Sequence, residues 1–370
     1  MSNVIYKPVF KHDKENKYKA IFDGNTGFYR RTSVLEQLLD GKFRETDEEV
    51  FKADYPELID IGIMERCVCS HKCKVDCYQK AVSRTGSNMS LDDFTWLIEQ
   101  SKGKVFQVAL GGAGDPDTHE NFKEILEVCY RNNIVPNFTT SGIAFTEEKA
   151  RLCKEYCGAV AVSEHNEDYT DKTVKMLLDA GVTTNIHYVL STQTIDRAIR
   201  ILNGEEQYRP GINAIVFLLY KPVGLGKVEY VLNFNDKRVA EFFKALDERK
   251  VDFNVGFDSC TCSGLINFAH NYNKEDIDYC EGARFSMYIS ADMTAMPCSF
   301  ANQDSKWYFK LSKKDGVGIK ESWESDIFER FRHRLLTKCP GCKDRDNCGG
   351  GCPLLDTVCL CGREHRTLNT

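Results

Sequence analysis

From Leu58 to about residue 250 the sequence alternates six times between a short apolar run and a longer amphipathic one. Short apolar runs bounded by turn residues read as strands buried on both faces, and the amphipathic runs as helices that cover them. The expected strands are Asp60–Glu65, Val105–Leu110, Val135–Thr139, Ala159–Val162, Thr184–Leu190 and Ala214–Tyr220. The expected helices are Leu91–Gln100, Asn121–Arg131, Thr146–Tyr156, Asp171–Ala180, Ile195–Leu202 and Lys237–Glu248. Ser90 stands as an N-cap with Asp93 three residues on, and Thr146 precedes Glu147 and Glu148; Gly181 and Gly204 mark helix ends. Such alternation implies a parallel sheet with right-handed crossovers, doubly wound or closing toward a barrel. In barrels of this kind, functional residues gather at the C-terminal ends of the strands.

Two flanking regions do not follow the pattern. Residues 1–57 are mixed, with a β-like stretch at Tyr18–Phe22 and an expected helix near Ser33–Leu39. They read as an N-terminal extension or a docking element for a partner peptide. After Val251 the chain turns to short strands, glycine turns and cysteines. The expected division is 1–57, 58–255 and 256–370.

With 370 residues and 42% apolar content the chain can bury a full core. A net charge of −6 speaks against a general nucleic-acid surface. No apolar run approaches the ~20 residues of a membrane span. Met1–Lys7 contains no signal-peptide core, so a cytoplasmic chain is expected. The 17 cysteines, an odd count, then point to metal or redox chemistry rather than to a paired disulfide set.

The first cysteines follow the first strand: Cys67, Cys69, Cys73 and Cys77, then Tyr78. Thiolates this close repel one another unless a cation holds them, so a metal is the natural partner. Three thiolates on a [4Fe–4S] cluster leave one iron open to a small molecule. This segment resembles the radical S-adenosylmethionine (SAM) superfamily, whose spacing is C-x3-C-x2-C. Here Cys69-x3-Cys73-x3-Cys77 is one residue longer, Asp76 stands at the aromatic position before the third cysteine, and Cys67 is an alternative first ligand. A zinc site or unliganded thiols are the competing readings.

The second expected strand ends in Leu110-Gly111-Gly112-Ala113-Gly114-Asp115-Pro116. This run is similar to the family's GGE-P segment, whose backbone binds the amino group of SAM; the family Glu is Ala113 here. By the same resemblance, Thr139–Gly142, Ser163-Glu164-His165 and His187 stand where relatives contact the SAM ribose and carboxylate. Tyr220–Gly226 resembles the loop that closes the sixth unit.

The C-terminal third carries Cys260, Cys262, Cys280, Cys298, Cys339, Cys342, Cys348, Cys352, Cys359 and Cys361. Cys339-x2-Cys342-x5-Cys348-x3-Cys352 resembles the SPASM domain, and Cys280-x17-Cys298 its first half, with Met293 where the family has Gly. The resemblance implies two auxiliary [4Fe–4S] clusters. One would use Cys280, Cys298 and Cys352 with Cys262 or Cys260. The other would use Cys339, Cys342 and Cys348 with Cys359 or Cys361. A zinc-ribbon-like module is the alternative. Cys129, Cys153 and Cys157 lie on expected helices and read as small buried hydrophobes.

The resemblance implies a partial (β/α)6 barrel followed by a cysteine-rich α+β domain. It further implies three [4Fe–4S] clusters, cleavage of SAM to a 5′-deoxyadenosyl radical, and an electron donor such as flavodoxin or ferredoxin. The expected substrate is a ribosomally made peptide, crosslinked through a thioether or a carbon–carbon bond. Sulfatase-maturase-like oxidation of a protein side chain is an alternative, although Ser299 stands where those enzymes carry an Asp base. Oxidation of a small molecule and a zinc-binding interaction protein are the others. The sequence names no catalytic base.

Overall fold

A computed structural model describes residues 5–73, 75–273, 277–302 and 304–362. The central unit runs β6 (Leu58–Met64), α1 (Leu91–Ser101), β7 (Gln107–Gly112), α2 (Phe122–Arg131), β8 (Val135–Thr140), α3 (Glu147–Tyr156), β9 (Val160–Ser163), α4 (Glu167–Asp179), β10 (Thr184–Leu190), α5 (Ile195–Leu202), β11 (Ala214–Leu219) and α6 (Lys237–Asp247). The six strands are parallel neighbours in chain order. Ile59, Ile61 and Ile63 of β6 are fully buried, while Asp60 between them is only half-buried. The same alternation recurs along β10, where Asn185, His187 and Val189 are the half-buried residues. The buried residues therefore face the covering helices, and the half-buried ones, Asp60, Asn185 and His187 among them, share the sheet's other, concave face.

Local chemistry set the helix starts as expected. Ser90 Oγ accepts the Asp93 amide at 3.0 Å, and Thr146 Oγ1 accepts that of Lys149 at 3.3 Å. Helix α4 begins at Glu167, ahead of the expected Asp171, because Asn166 is extended and supplies the first turn's acceptor for Thr170.

The N-terminal segment corrects one expectation. Ser33–Leu39 is not a helix; β4 (Leu35–Gln37) pairs with β5 (Phe43–Glu45). The Leu-Glu-Gln composition favours a helix, but the Asp40-Gly41 turn closes a hairpin, with Leu38 N bonded to Lys42 O at 2.8 Å. Before it, β1 (Val9–Asp13), β2 (Tyr18–Asp23) and β3 (Phe28–Arg31) form an antiparallel sheet. Its Tyr18 and Phe22 pack on Phe106, Val135 and Phe285, which stand at the N-terminal ends of their strands. There Glu57 accepts from Tyr18 Oη at 2.5 Å and Tyr29 Oη at 2.7 Å, and pairs with Arg31 at 3.2 Å. The segment thus covers the end of the sheet opposite the strand C-termini.

The C-terminal third is not separated from the sheet. Strand β12 (Asn254–Phe257) extends it parallel to β11, and β13 (Ser286–Ile289) adds parallel to β6 at the other side. With β14 (Thr294–Met296) and β15 (Phe309–Lys310) the order is β12-β11-β10-β9-β8-β7-β6-β13-β14-β15. The two ends of this ten-stranded sheet are not paired with each other, so it is an open, partial barrel. Helices α7 (Cys262–Phe268), α8 (Ile319–Trp323), α9 (Asp326–Thr337) and α10 (Arg345–Cys348) follow among the described residues. Among the described residues no helix is long and apolar enough to cross a membrane.

Met293 closes the β13–β14 hairpin in the left-handed region, at φ 64°, where a glycine would be at ease. Its side chain is buried in the main core. Relief of that strain is worth about 1 kcal/mol, and loss of a buried Met about 2–5 kcal/mol. Met293→Gly is therefore expected to lower stability by about 1–4 kcal/mol in denaturant melts, despite improving the backbone.

Candidate functional site

The loop between β6 and α1 carries the first cysteines at the C-terminal end of the sheet. Cys69 O accepts the Lys72 and Cys73 amides at 3.0 and 3.2 Å, folding the loop on itself. Burial, then the nearby Asp115 charge, pushes the Cys69 thiol up to about 11; Cys67 and Cys73 are raised chiefly by burial. Thiols held protonated by their surroundings become ligands only when a cation compensates them.

The glycine run of β7 lies against this loop. Ala113 N donates to Met64 O at 2.7 Å. At Gly112, with φ 111°, a Cβ would stand 2.3 Å from that same oxygen. A Cβ at Gly114 would meet Arg66 O at 2.6 Å. Only glycine lets the two segments approach so closely. Asp115 follows, accepting from Ser141 N at 2.9 Å and Ser141 Oγ at 2.5 Å; burial and the Asp117 charge lift it to about 6.

The other expected SAM-side residues come together on the concave face. Thr139 of β8 hydrogen-bonds His187 Nδ1 at 3.0 Å, and His187 stands in register with Ser163 of β9. Glu164 turns away instead, into a salt-bridged knot with Arg197, Arg209 and Tyr208. Burial holds His187 down at about 4, so the imidazole is neutral at pH 7. Unfolding then takes up a proton between the ordinary imidazole value and about 4, and stability falls as pH drops through that window. His187→Gln is expected to remove about 2 kcal/mol of this acid loss, read from denaturant midpoints at neutral and mildly acidic pH.

Tyr220–Gly226 closes over the cysteine loop. Leu225 N donates to Cys77 O at 3.1 Å. Gly224, at φ 70°, is so close that a Cβ there would stand 2.2 Å from Tyr78 O.

The C-terminal cysteines form two sets. The Cys260 and Cys352 thiols interact with each other, which lowers Cys352 and raises Cys260. Cys280 and Cys298 feel the Cys260 charge, and burial lifts Cys298 to about 12. Cys262 sits elsewhere: its Sγ donates to Cys348 O at 3.5 Å. Cys339 feels Cys348, Cys342 and Cys361, while Cys359 is raised to about 12 chiefly by burial and bonds Ser263. Among the described residues no three His, Cys, Asp or Glu side chains are drawn together tightly enough for a single metal ion. A four-iron cube places each thiolate on its own iron, and so calls for thiols arranged around a space rather than converging on a point. The donor set, all cysteine and mostly half-buried, fits such a cube. Cys129 and Cys153 are fully buried in the core, and Cys157 packs against it.

Three features carried no sequence signal. Asp60 alternates with the buried isoleucines of β6 and so faces the concave side, where burial raises it to about 7. Tyr78 and Phe300 pack at 4.8 Å, joining the first cysteine loop to the turn that follows Cys298. Lys221 pairs with Asp258 in the interior.

No family model and no curated protein matches the chain. Solved structures do. Streptococcus suis SuiB bound to precursor peptide SuiA matches at 14% identity and TM-score 0.67, covering 95% of each chain. SuiB bound to S-adenosylmethionine matches at 17% identity and TM-score 0.63, over 81% of this chain and 74% of that one. Native anSMEcpe with bound AdoMet matches at 18% identity and TM-score 0.57, over 80% of this chain and 89% of that one. At these identities the likeness is one of architecture: the chain has the fold of SuiB and anSMEcpe, over nearly its whole length in the case of SuiB.

Proposed function

We propose that this chain is a radical SAM enzyme that modifies a ribosomally made peptide. One observation carries the reading: Gly112 and Gly114 pack on Met64, Arg66 and Cys67, where the cysteine loop leaves the C-terminal end of β6, in a fold shared with proteins solved with AdoMet or a precursor peptide. Cys69, Cys73 and Cys77 would hold a [4Fe–4S] cluster, with SAM beside Gly111, Gly112, Ala113 and Gly114 and near Ser163 and His187. Bound there, the cluster and SAM would supply a 5′-deoxyadenosyl radical. The chain's own contribution is placement. Open glycine backbone receives the SAM amino group, the Thr139–His187 bond fixes a neutral imidazole, and the Tyr220–Gly226 loop shields the cysteines from solvent.

The thiol pairing supports Cys260 with Cys280, Cys298 and Cys352 as the first auxiliary set. This leaves Cys262 beside Cys348, with Cys339, Cys342 and Cys361 or Cys359 in the second. Four thiols would close the first set, suiting it to electron transfer. A small reducing protein such as flavodoxin or ferredoxin would supply electrons, in a cytoplasm that keeps the thiols reduced. The product bond we infer is a thioether or carbon–carbon crosslink.

The test is anaerobic incubation of the reduced protein with SAM, with and without a short peptide encoded beside it. Methionine and 5′-deoxyadenosine, plus a peptide that has lost hydrogen by mass, are the expected products. SAM cleavage with an unchanged peptide would transfer the reading to another substrate. No cleavage by an iron-loaded protein would end it.

A further inference from the structure

Lys221 is a buried charge that the proposed reaction leaves without a role. Its side chain is 4% exposed, and its ammonium donates to Asp258 Oδ2 at 2.6 Å and to Leu219 O at 2.8 Å. It also lies 4.6 Å from the centre of the Phe300 ring. Phe300 comes two residues after Cys298; Asp258 comes two residues before Cys260 and accepts from Thr261 Oγ1 at 2.8 Å. The ion pair is therefore wedged where the end of β11 meets the Cys260 and Cys298 turns.

The ammonium favours the charged form of two of these thiols, Cys260 and Cys298. At Cys260 the Lys221 ammonium favours the thiolate more strongly than the Asp258 carboxylate opposes it. At Cys298 it outweighs Asp60, the carboxylate acting there in the opposite sense. Burial works against the Lys221 charge, and the ion pair with Asp258 holds it. An apolar pair of similar volume would serve stability at least as well as a buried ion pair. The charge itself therefore calls for a use.

We propose that the Lys221 ammonium raises the reduction potential of an iron–sulfur cluster held by Cys260, Cys280, Cys298 and Cys352, making that cluster the readier electron acceptor. A fixed cation in a low-dielectric interior stabilises the more negative, reduced state. Asp258 is the counterweight and the positioning residue: it anchors the ammonium and limits its effect. The inference rests on the reading that these four thiols hold a cluster.

The experiment is a redox titration of the full chain followed by electron paramagnetic resonance. It uses a Cys69, Cys73 and Cys77 to Ala background, so that only C-terminal clusters respond, and iron is counted first. In Lys221→Gln one component should become harder to reduce, its reduced-to-oxidised ratio falling about tenfold at a fixed potential, or about 59 mV for a one-electron couple. Asp258→Asn should shift the same component the other way, and Lys221→Arg should leave it near the parent. A background protein without iron in the C-terminal sets would overturn the cluster reading itself. Iron-loaded variants whose potentials coincide would overturn the tuning and leave the cluster reading intact. If Lys221→Gln does not retain iron, Asp258→Asn decides alone: an upward shift supports the proposal and no shift overturns it.

Discussion

Purified and reconstituted without oxygen, the chain is expected to bind about twelve irons, and about eight when Cys69, Cys73 and Cys77 are replaced by Ala. The variant should lose all SAM cleavage and keep its fold, because the three thiols lie on a loop outside the sheet core, which does not depend on them. Iron and sulfide analysis with circular dichroism checks both points. About four irons, unaffected by replacing the C-terminal cysteines, would keep the first site and remove the auxiliary sets. Zinc without sulfide would replace the enzyme with a metal-stabilised binding protein.

Gly224→Ala is expected to have the second-largest effect. The added Cβ would fall 2.2 Å from Tyr78 O, 2.5 Å from Tyr78 C and 2.7 Å from Cys77 O. These are backbone atoms and cannot turn aside as a flexible side chain can. The left-handed φ costs about 1–2 kcal/mol and the overpacking about 1–3 kcal/mol more. The cysteine loop is the softer partner and should give way, carrying Cys77 out of place. We expect a lowered melting temperature and weakened iron retention at the first set, with the C-terminal irons unchanged. A variant with full iron and normal SAM cleavage would show that the loop closes independently of Gly224.

The central strands and helices were legible because each is a local periodic pattern with local end signals: Ser90, Thr146 and Gly181 act within one turn of the helices they bound. Ser33–Leu39 misled because helix-forming side chains there lost to backbone pairing with Thr46 and Glu48, partners too distant for a propensity argument. Short strands were expected after Val251, but not that β12 and β13 join the central sheet, for a related reason. Each is only four residues long and is defined by the neighbour it joins, β11 in one case and β6 in the other.

The sequence by itself determined the alternating α/β framework and the cysteine spacings, since both are written in separations of a few residues. It left the Cys260/Cys262 choice open, because two thiols two residues apart point in different directions once the chain turns into α7. Only the tertiary structure brought Cys260 to Cys352 and Cys262 to Cys348, set Gly224 on the first cysteine loop, and buried Lys221 against Asp258 beside the C-terminal thiols. Those contacts join residues far apart in the chain, and close packing rather than local propensity decides them.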